Sequence, residues 1–251
     1  MKNRFIALFL SLSCTVAIAQ PNFSSRPEVV SVERHAGERT GNSREWLNVK
    51  TFRDSAGSTF VTTNRCVELA TGMSFWDGQE WVLSDPRFDA TTNGFAATRT
   101  QHKVRLSGNI NQEVAVVLTT PDGKVLRSTP IGIGLYDTAS GRSLIIGEIT
   151  DSEGVLVGSN RVVYADAFKG VCADVVYTIN RHSFEQDVIF TGRINPADYN
   201  FPTNTTLIEI FTEFHGDSPE PEITRRPLRV EKDKAGRDRT VSPDLVAETL
   251  V

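Results

Sequence analysis

From Glu45 onward the chain consists of short runs rich in Val, Ile, Thr, Phe and Tyr, each closed by Gly, Asn, Asp or Pro. β-Branched and aromatic residues suit a pleated, half-buried surface, and the punctuation stops each run before a helix could complete itself. STFVTT, HKVRLSG, EVAVVLTT, IGIGLYD, RSLIIGEI, RVVYAD, CADVVYTIN, FEQDVIF and TLIEIFTEF are such runs, and Asp122-Gly123, Ser140-Gly141 and Glu153-Gly154 supply turn chemistry between them. Amphipathic helical spacing is confined to NPADYN at 195–200 and to the chain end. Strand after strand without helix-length crossovers predicts antiparallel meanders, not a parallel α/β sheet. The expected fold is all-β: a large antiparallel β-sandwich of the many-stranded supersandwich kind, with a short helical turn near 195–200 and a terminal helix start. A barrel or propeller is the alternative, although no blade-length repeat is visible.

Residues 1–19, MKNRFIALFLSLSCTVAIA, join a basic start, an apolar core and the small-x-small triplet Ala17-Ile18-Ala19. That layout predicts a secretory signal cleaved after Ala19, and hence a secreted, extracellular or periplasmic protein. The apolar run is shorter than the ~20 residues a span needs, so no stable membrane span is expected. Removing the segment takes away Lys2 and Arg4 and no acid, so the net charge goes from −4 to −4 − 2 = −6. A mildly acidic chain argues against nucleic acid as a partner.

Residues 20–44 read as a flexible lead with one edge strand at EVVSVER, and 45–216 as the sandwich domain. Residues 217–251 read as a charged, Pro-rich linker running into a further element, with Ser242 as N-cap, Pro243 at the first helical position and Asp244 in the first turn. This ending suggests the front part of a longer protein.

Past the signal two cysteines remain, Cys66 and Cys172. In an oxidising compartment they either form a disulfide, closing a loop worth up to ~4–5 kcal/mol in the chain-entropy model, or stay as buried free thiols. Neither lies in a C-x-x-C or beside a histidine, and none of His35, His102, His182 and His215 is spaced to share a metal, so no metal site or cofactor is expected.

Candidate chemistry rests on two strands and one hairpin. In FEQDVIF, Glu185 and Asp187 share a face with Cα atoms ~7 Å apart, a separation that suits a glycoside-hydrolase pair. In TLIEIFTEFH, Glu209 and Glu213 share a face with His215. Were the two strands neighbours, the four carboxylates would form an acidic cluster suited to glycoside hydrolysis, other acid/base work or Ca²⁺. The competing reading is that carboxylates alternate with apolar residues wherever one face of a sheet is wet.

In SFWDGQEWV, a two-residue turn at Asp77-Gly78 or a four-residue loop would each put Trp76 and Trp81 on one face, whereas a three-residue loop would separate them. A same-face indole pair can stack on sugar rings or pack beneath a neighbouring sheet. Met73, Phe75 and Val82 on the other face also call for burial, which favours a packed hairpin.

FWDGQEWV, TQHKVRLSGNIN, TTPDGKVLRSTPIGIGLYD, GVLVGSNRVVYADAFKGVCADVVYTI and TLIEIFTEF together resemble the amino-terminal β-rich region of very large secreted or cell-surface proteins of environmental bacteria, a region with no assigned activity. The resemblance implies an extracellular module of a larger protein. Two functions are therefore carried forward: a non-catalytic module that serves structurally or by interaction with neighbouring extracellular modules, and a carbohydrate-binding or carbohydrate-active domain whose partner is a polysaccharide.

Overall fold

The computed structural model describes residues 26–216, together with the backbone of four strands and a short turn between 221 and 250. By contacts the chain divides into two compact units, one of residues up to Gly37 with Trp46–Cys66, the other of Glu38–Glu45 with everything from Val67 onward.

The first unit holds most of a three-stranded sheet of β1 (Glu28–Arg39), β2 (Ser43–Arg53) and β3 (Thr59–Leu69), paired in chain order. The central strand β2 is half-buried along nearly its whole length, while β1 and β3 are mostly exposed. Phe52 stacks on Phe60 with centroids 5.3 Å apart, and the Arg34 guanidinium sits 3.8 Å over the Trp46 ring. The edge strand expected at EVVSVER forms as the first part of β1, which runs on to Arg39, so the expected flexible lead is corrected over residues 35–39 and at Ser43 and Arg44, which open β2. A sheet wet on both faces needs no apolar alternation, so β1 carries little of the usual signal. Residues 20–25 of that lead, like the signal segment, lie outside the described residues.

In the second unit, β4 (Ser74–Trp76) and β5 (Trp81–Leu83) form a hairpin. Then β6 (Asp89–Thr91), β7 (Gly94–Ala97), β8 (Lys103–Ser107), β9 (Val116–Thr119), β10 (Val125–Asp137) and β11 (Ser143–Ile149) pair in succession as an antiparallel meander that curls like half a barrel. β12 (Gly154–Val157) and β13 (Arg161–Tyr164) open a second sheet, and β14 (Phe168–Lys169) returns to the first beside β11. β15 (Ala173–Ile179) and β16 (Phe184–Phe190) complete the second sheet in the order β12-β13-β15-β16.

β17 (Thr206–Phe214) rejoins the first sheet along β10, on the edge opposite β9 and β11. β10 serves so many partners because it is 13 residues long, with Val125–Ser128 facing β9 and Gly132–Tyr136 facing β11. Gly134 lets the Phe211 ring of β17 lie against the β10 backbone, since a Cβ there would come 2.5 Å from Cε2 of that ring.

Alternation on the facing strands builds one core from both sheets: Val104, Leu106, Val116 and Ile133 from the first, Val162, Tyr164, Val175, Tyr177 and Ile179 from the second. The Tyr164 hydroxyl donates to the Ser107 carbonyl, tying the sheets together with a satisfied buried polar group. The chain is therefore the all-β, sandwich-like fold expected from its runs.

The helical turn also forms, as a 3-10 helix at Pro196–Tyr199 with Asn195 as its N-cap. Asp122-Gly123 and Ser140-Gly141 close hairpins as expected, through backbone bonds Gly123 N–H to Thr120 O and Gly141 N–H to Asp137 O. Glu153-Gly154 is not a turn: Gly154 starts β12, and its lack of a side chain admits Phe95 and Tyr164, whose rings a Cβ would meet at 2.7 and 2.9 Å.

The terminal region departs from expectation. β18 (Pro221–Pro227) pairs with β21 (Asp244–Leu250), and β19 (Val230–Lys232) with β20 (Asp238–Thr240), all antiparallel. Asp244 opens a strand, not a helix, because its backbone finds partners across the sheet that a local capping signal cannot weigh; Ser242 and Pro243 lie outside the described residues. Among the described residues no helix is long and apolar enough to cross a membrane.

Cys66 and Cys172 are both free, and both are exposed, so neither the disulfide nor the buried-thiol expectation describes them. The Cys66 Sγ accepts from Asn48 Nδ2 at 3.4 Å, a local contact between β3 and β2 of the three-stranded sheet.

Candidate ligand-binding cleft

The β4–β5 hairpin is closed by the four residues Asp77-Gly78-Gln79-Glu80, so Trp76 and Trp81 stand directly opposite each other. The Asp77 amide donates to the Glu80 carbonyl at 3.1 Å, and its carboxylate accepts from the amides of Gln79 and Glu80, each at 2.8 Å. Those backbone donors hold the Asp77 carboxyl below its ordinary pKa.

Ser74, Trp76, Trp81 and Leu83 share one face of the hairpin, and Phe75 and Val82 the other. Met73 and Phe75 are 5% and 8% exposed and Ser74, on the tryptophan side, is 0% exposed, so the start of β4 is buried on both faces while Trp76 and Leu83 stand out at 51% and 44%. The tryptophans meet edge to face, with centroids 5.7 Å apart at 68°, and Trp76 remains 51% exposed.

The two indoles are held differently. Trp81 is half-buried against the turn that precedes β2: a Cβ on Gly41 would lie 3.2 Å from its Cζ3 and 2.6 Å from Gln101 Nε2. Gln101 Nε2 donates to the carbonyls of Gly41 and Ser74 at 2.8 and 2.9 Å, and Arg39 Nη1 to the Trp81 carbonyl at 3.3 Å. One indole is thus fixed by its surroundings and the other presents its ring to solvent.

A cleft of roughly 490 Å³ opens in front of the pair. Phe75, Trp76 and Trp81 form its aromatic side, and Thr40, Asn42, Gln101, Lys103 and Thr120 bring hydroxyl, amide and ammonium groups to the other. A concave, mostly apolar surface with a few convergent polar groups, of this size, is how small-molecule sites are commonly built. The Lys103 Nζ donates to the Thr98 carbonyl at 2.6 Å, and burial lowers its pKa below the usual lysine value. None of the polar contributors could be found from sequence, because Lys103 lies in a run that reads as an ordinary strand, Gln101 just before it, and both are joined to the hairpin only by folding.

His102, beside them, is half-buried, and its Nδ1 meets no hydrogen-bonding partner among the described residues. Burial lowers its pKa below 6.5, with Asp122 opposing the shift. The unfolded chain therefore takes up the proton first as pH falls, so stability is intact above the unfolded value and lost on acidification toward the folded one. The melting temperature is expected to fall between about pH 7.5 and 5, with a flatter profile in His102→Gln; parallel profiles would rule out this residue as the cause.

The four candidate carboxylates do not meet. Glu185 and Asp187 lie on β16 in one sheet, Glu209 and Glu213 on β17 in the other, and the two strands do not pair. Where the strands face each other, Gln186 Nε2 donates to Thr212 Oγ1 at 3.4 Å, so strand alternation turns Glu185, Asp187 and Glu213 the opposite way. The Glu185 carboxylate accepts from Ser183 Oγ at 2.7 Å and Asn180 Nδ2 at 3.1 Å, bracing the turn before β16. His215 Nε2 lies 3.1 Å from the buried Thr129 hydroxyl. Among the described residues no group of three or more His, Cys, Asp or Glu could hold a metal ion.

No family model matches the chain, and no curated protein or solved structure is significantly similar to it.

Proposed function

We propose that the protein is a non-catalytic extracellular β-module that works by binding, with saccharide as the ligand of the Trp76–Trp81 cleft. The observation that supports this reading is the orientation of the hairpin: Met73 and Phe75 are buried while Trp76 is 51% exposed. Indoles are costly to leave in water, and one that stands half-exposed beside hydroxyl and amide groups suits the apolar C–H face and polar rim of a sugar ring. The secretory pattern of residues 1–19 supports a location where polysaccharides are met. The four carboxylates are divided between two sheets, and the Glu185 carboxylate is taken up by Ser183 and Asn180, which supports binding over hydrolysis within the carbohydrate reading.

The test is retention on immobilised polysaccharides, with Trp76→Ala beside the native chain. Loss of about tenfold or more in affinity is expected, with only a small fall in melting temperature, because Trp76 is 51% exposed and gives up an edge-to-face contact with Trp81. If no polysaccharide retains the native chain, the binding reading fails.

A further inference from the structure

We infer that the cleft selects an acidic saccharide, whose carboxylate or sulfate pairs with the Lys103 ammonium while a sugar ring stacks on Trp76; this rests on the saccharide reading above. Lys103 is the one charged side chain among the residues that line the cleft. Its Nζ is held by the Thr98 carbonyl at 2.6 Å and lies 4.8 Å from the centroid of the buried Phe75 ring. Neither neighbour is an anion, and among the described residues Lys103 forms no ion pair.

An ammonium carries three donors, and the carbonyl takes one of them. A cation drawn partly out of water without a counter-ion is poorly solvated, and an incoming anion relieves that. The acids nearby are engaged elsewhere. Asp77 turns its carboxylate onto the amides of Gln79 and Glu80, and Asp122 accepts from the Thr120 hydroxyl beside Lys124. The net charge of −4 repels acidic polymers in general, so a preference for them has to arise locally.

The experiment compares binding of polygalacturonate, which carries carboxylates alone, carrageenan, which carries sulfates alone, and neutral laminarin, to the native chain, Lys103→Met and Lys103→Arg. At least one acidic polymer is expected to bind about tenfold or more tightly than laminarin, with a preference that weakens as salt rises. Lys103→Met should bring that preference toward unity, while Lys103→Arg, which keeps the charge, retains it. Which acidic polymer is preferred identifies the anionic group. Equal or tighter binding of laminarin, or a preference that survives in Lys103→Met, overturns the inference while leaving the saccharide reading standing. Failure to bind all three overturns both.

Discussion

Replacing Tyr177 by alanine is expected to cost about 3–5 kcal/mol of stability, the range for deleting a large aromatic from a packed core. Tyr177 is 1% exposed, lies parallel to Phe184 with centroids 5.6 Å apart and meets Tyr164 edge to face at 5.9 Å. It therefore joins β15 to both neighbouring strands of its sheet and contributes to the core shared by the two sheets. Its hydroxyl donates to Gln186 Oε1 at 3.0 Å, and burial pushes its pKa well above the ordinary phenol value, so it stays protonated as a donor. Tyr177→Phe keeps the ring contacts and gives up only this bond, at about 1 kcal/mol. Urea unfolding of the three chains separates the contributions. Equal midpoints for the two variants would mean that the hydroxyl, not the ring, holds the site together.

A second large effect is expected from Gly94→Ala, on the order of 3 kcal/mol. Gly94 opens β7 opposite Ser107 with φ at 144°, a region that L side chains rarely enter. A Cβ there would also stand 2.1 Å from the Leu106 carbonyl oxygen and 2.7 Å from the Gly108 nitrogen. Both obstacles are backbone, so β7 and β8 would have to separate. Gly78 in the tryptophan hairpin makes the comparison clean, with φ at 109° but nothing within 4 Å of the added Cβ. Gly78→Ala should cost only the conformational part, about 1–2 kcal/mol. Should thermal unfolding show the two variants equally destabilised, the close approach of β8 is not what makes Gly94 necessary.

Much of the architecture was legible because strand alternation is local. In FEQDVIF the parity that groups Phe184, Gln186, Val188 and Phe190 is the parity found, with those residues half-buried and Glu185, Asp187 and Ile189 exposed. NPADYN forms its turn because Asn195 and Pro196 supply cap and first helical position within a few residues of one another. Segments whose state depends on distant partners were misread. Beyond EVVSVER, β1 looked like a lead because its sheet has no dry face, and Asp244–Leu250 looked like a helix start because its strand partner, Pro221–Pro227, is itself charged and proline-bounded.

The binding cleft divides along the same line. Residues 74 to 83 by themselves restrict the two tryptophans to a common face for two of the three loop lengths, since side chains alternate and the turn sets the register. Which face then meets solvent depends on the apolar surface supplied by other parts of the fold. Met73 and Phe75 found cover, and Trp81 was fixed by Gly41 and Gln101, respectively 40 residues before and 20 after it in the chain. The same folding brought the Lys103 ammonium to the cleft and sent Glu185 and Glu209 to different sheets. Period and turn chemistry act over a few residues and can be read along the chain, whereas burial is a competition among segments far apart in it, settled only when they pack.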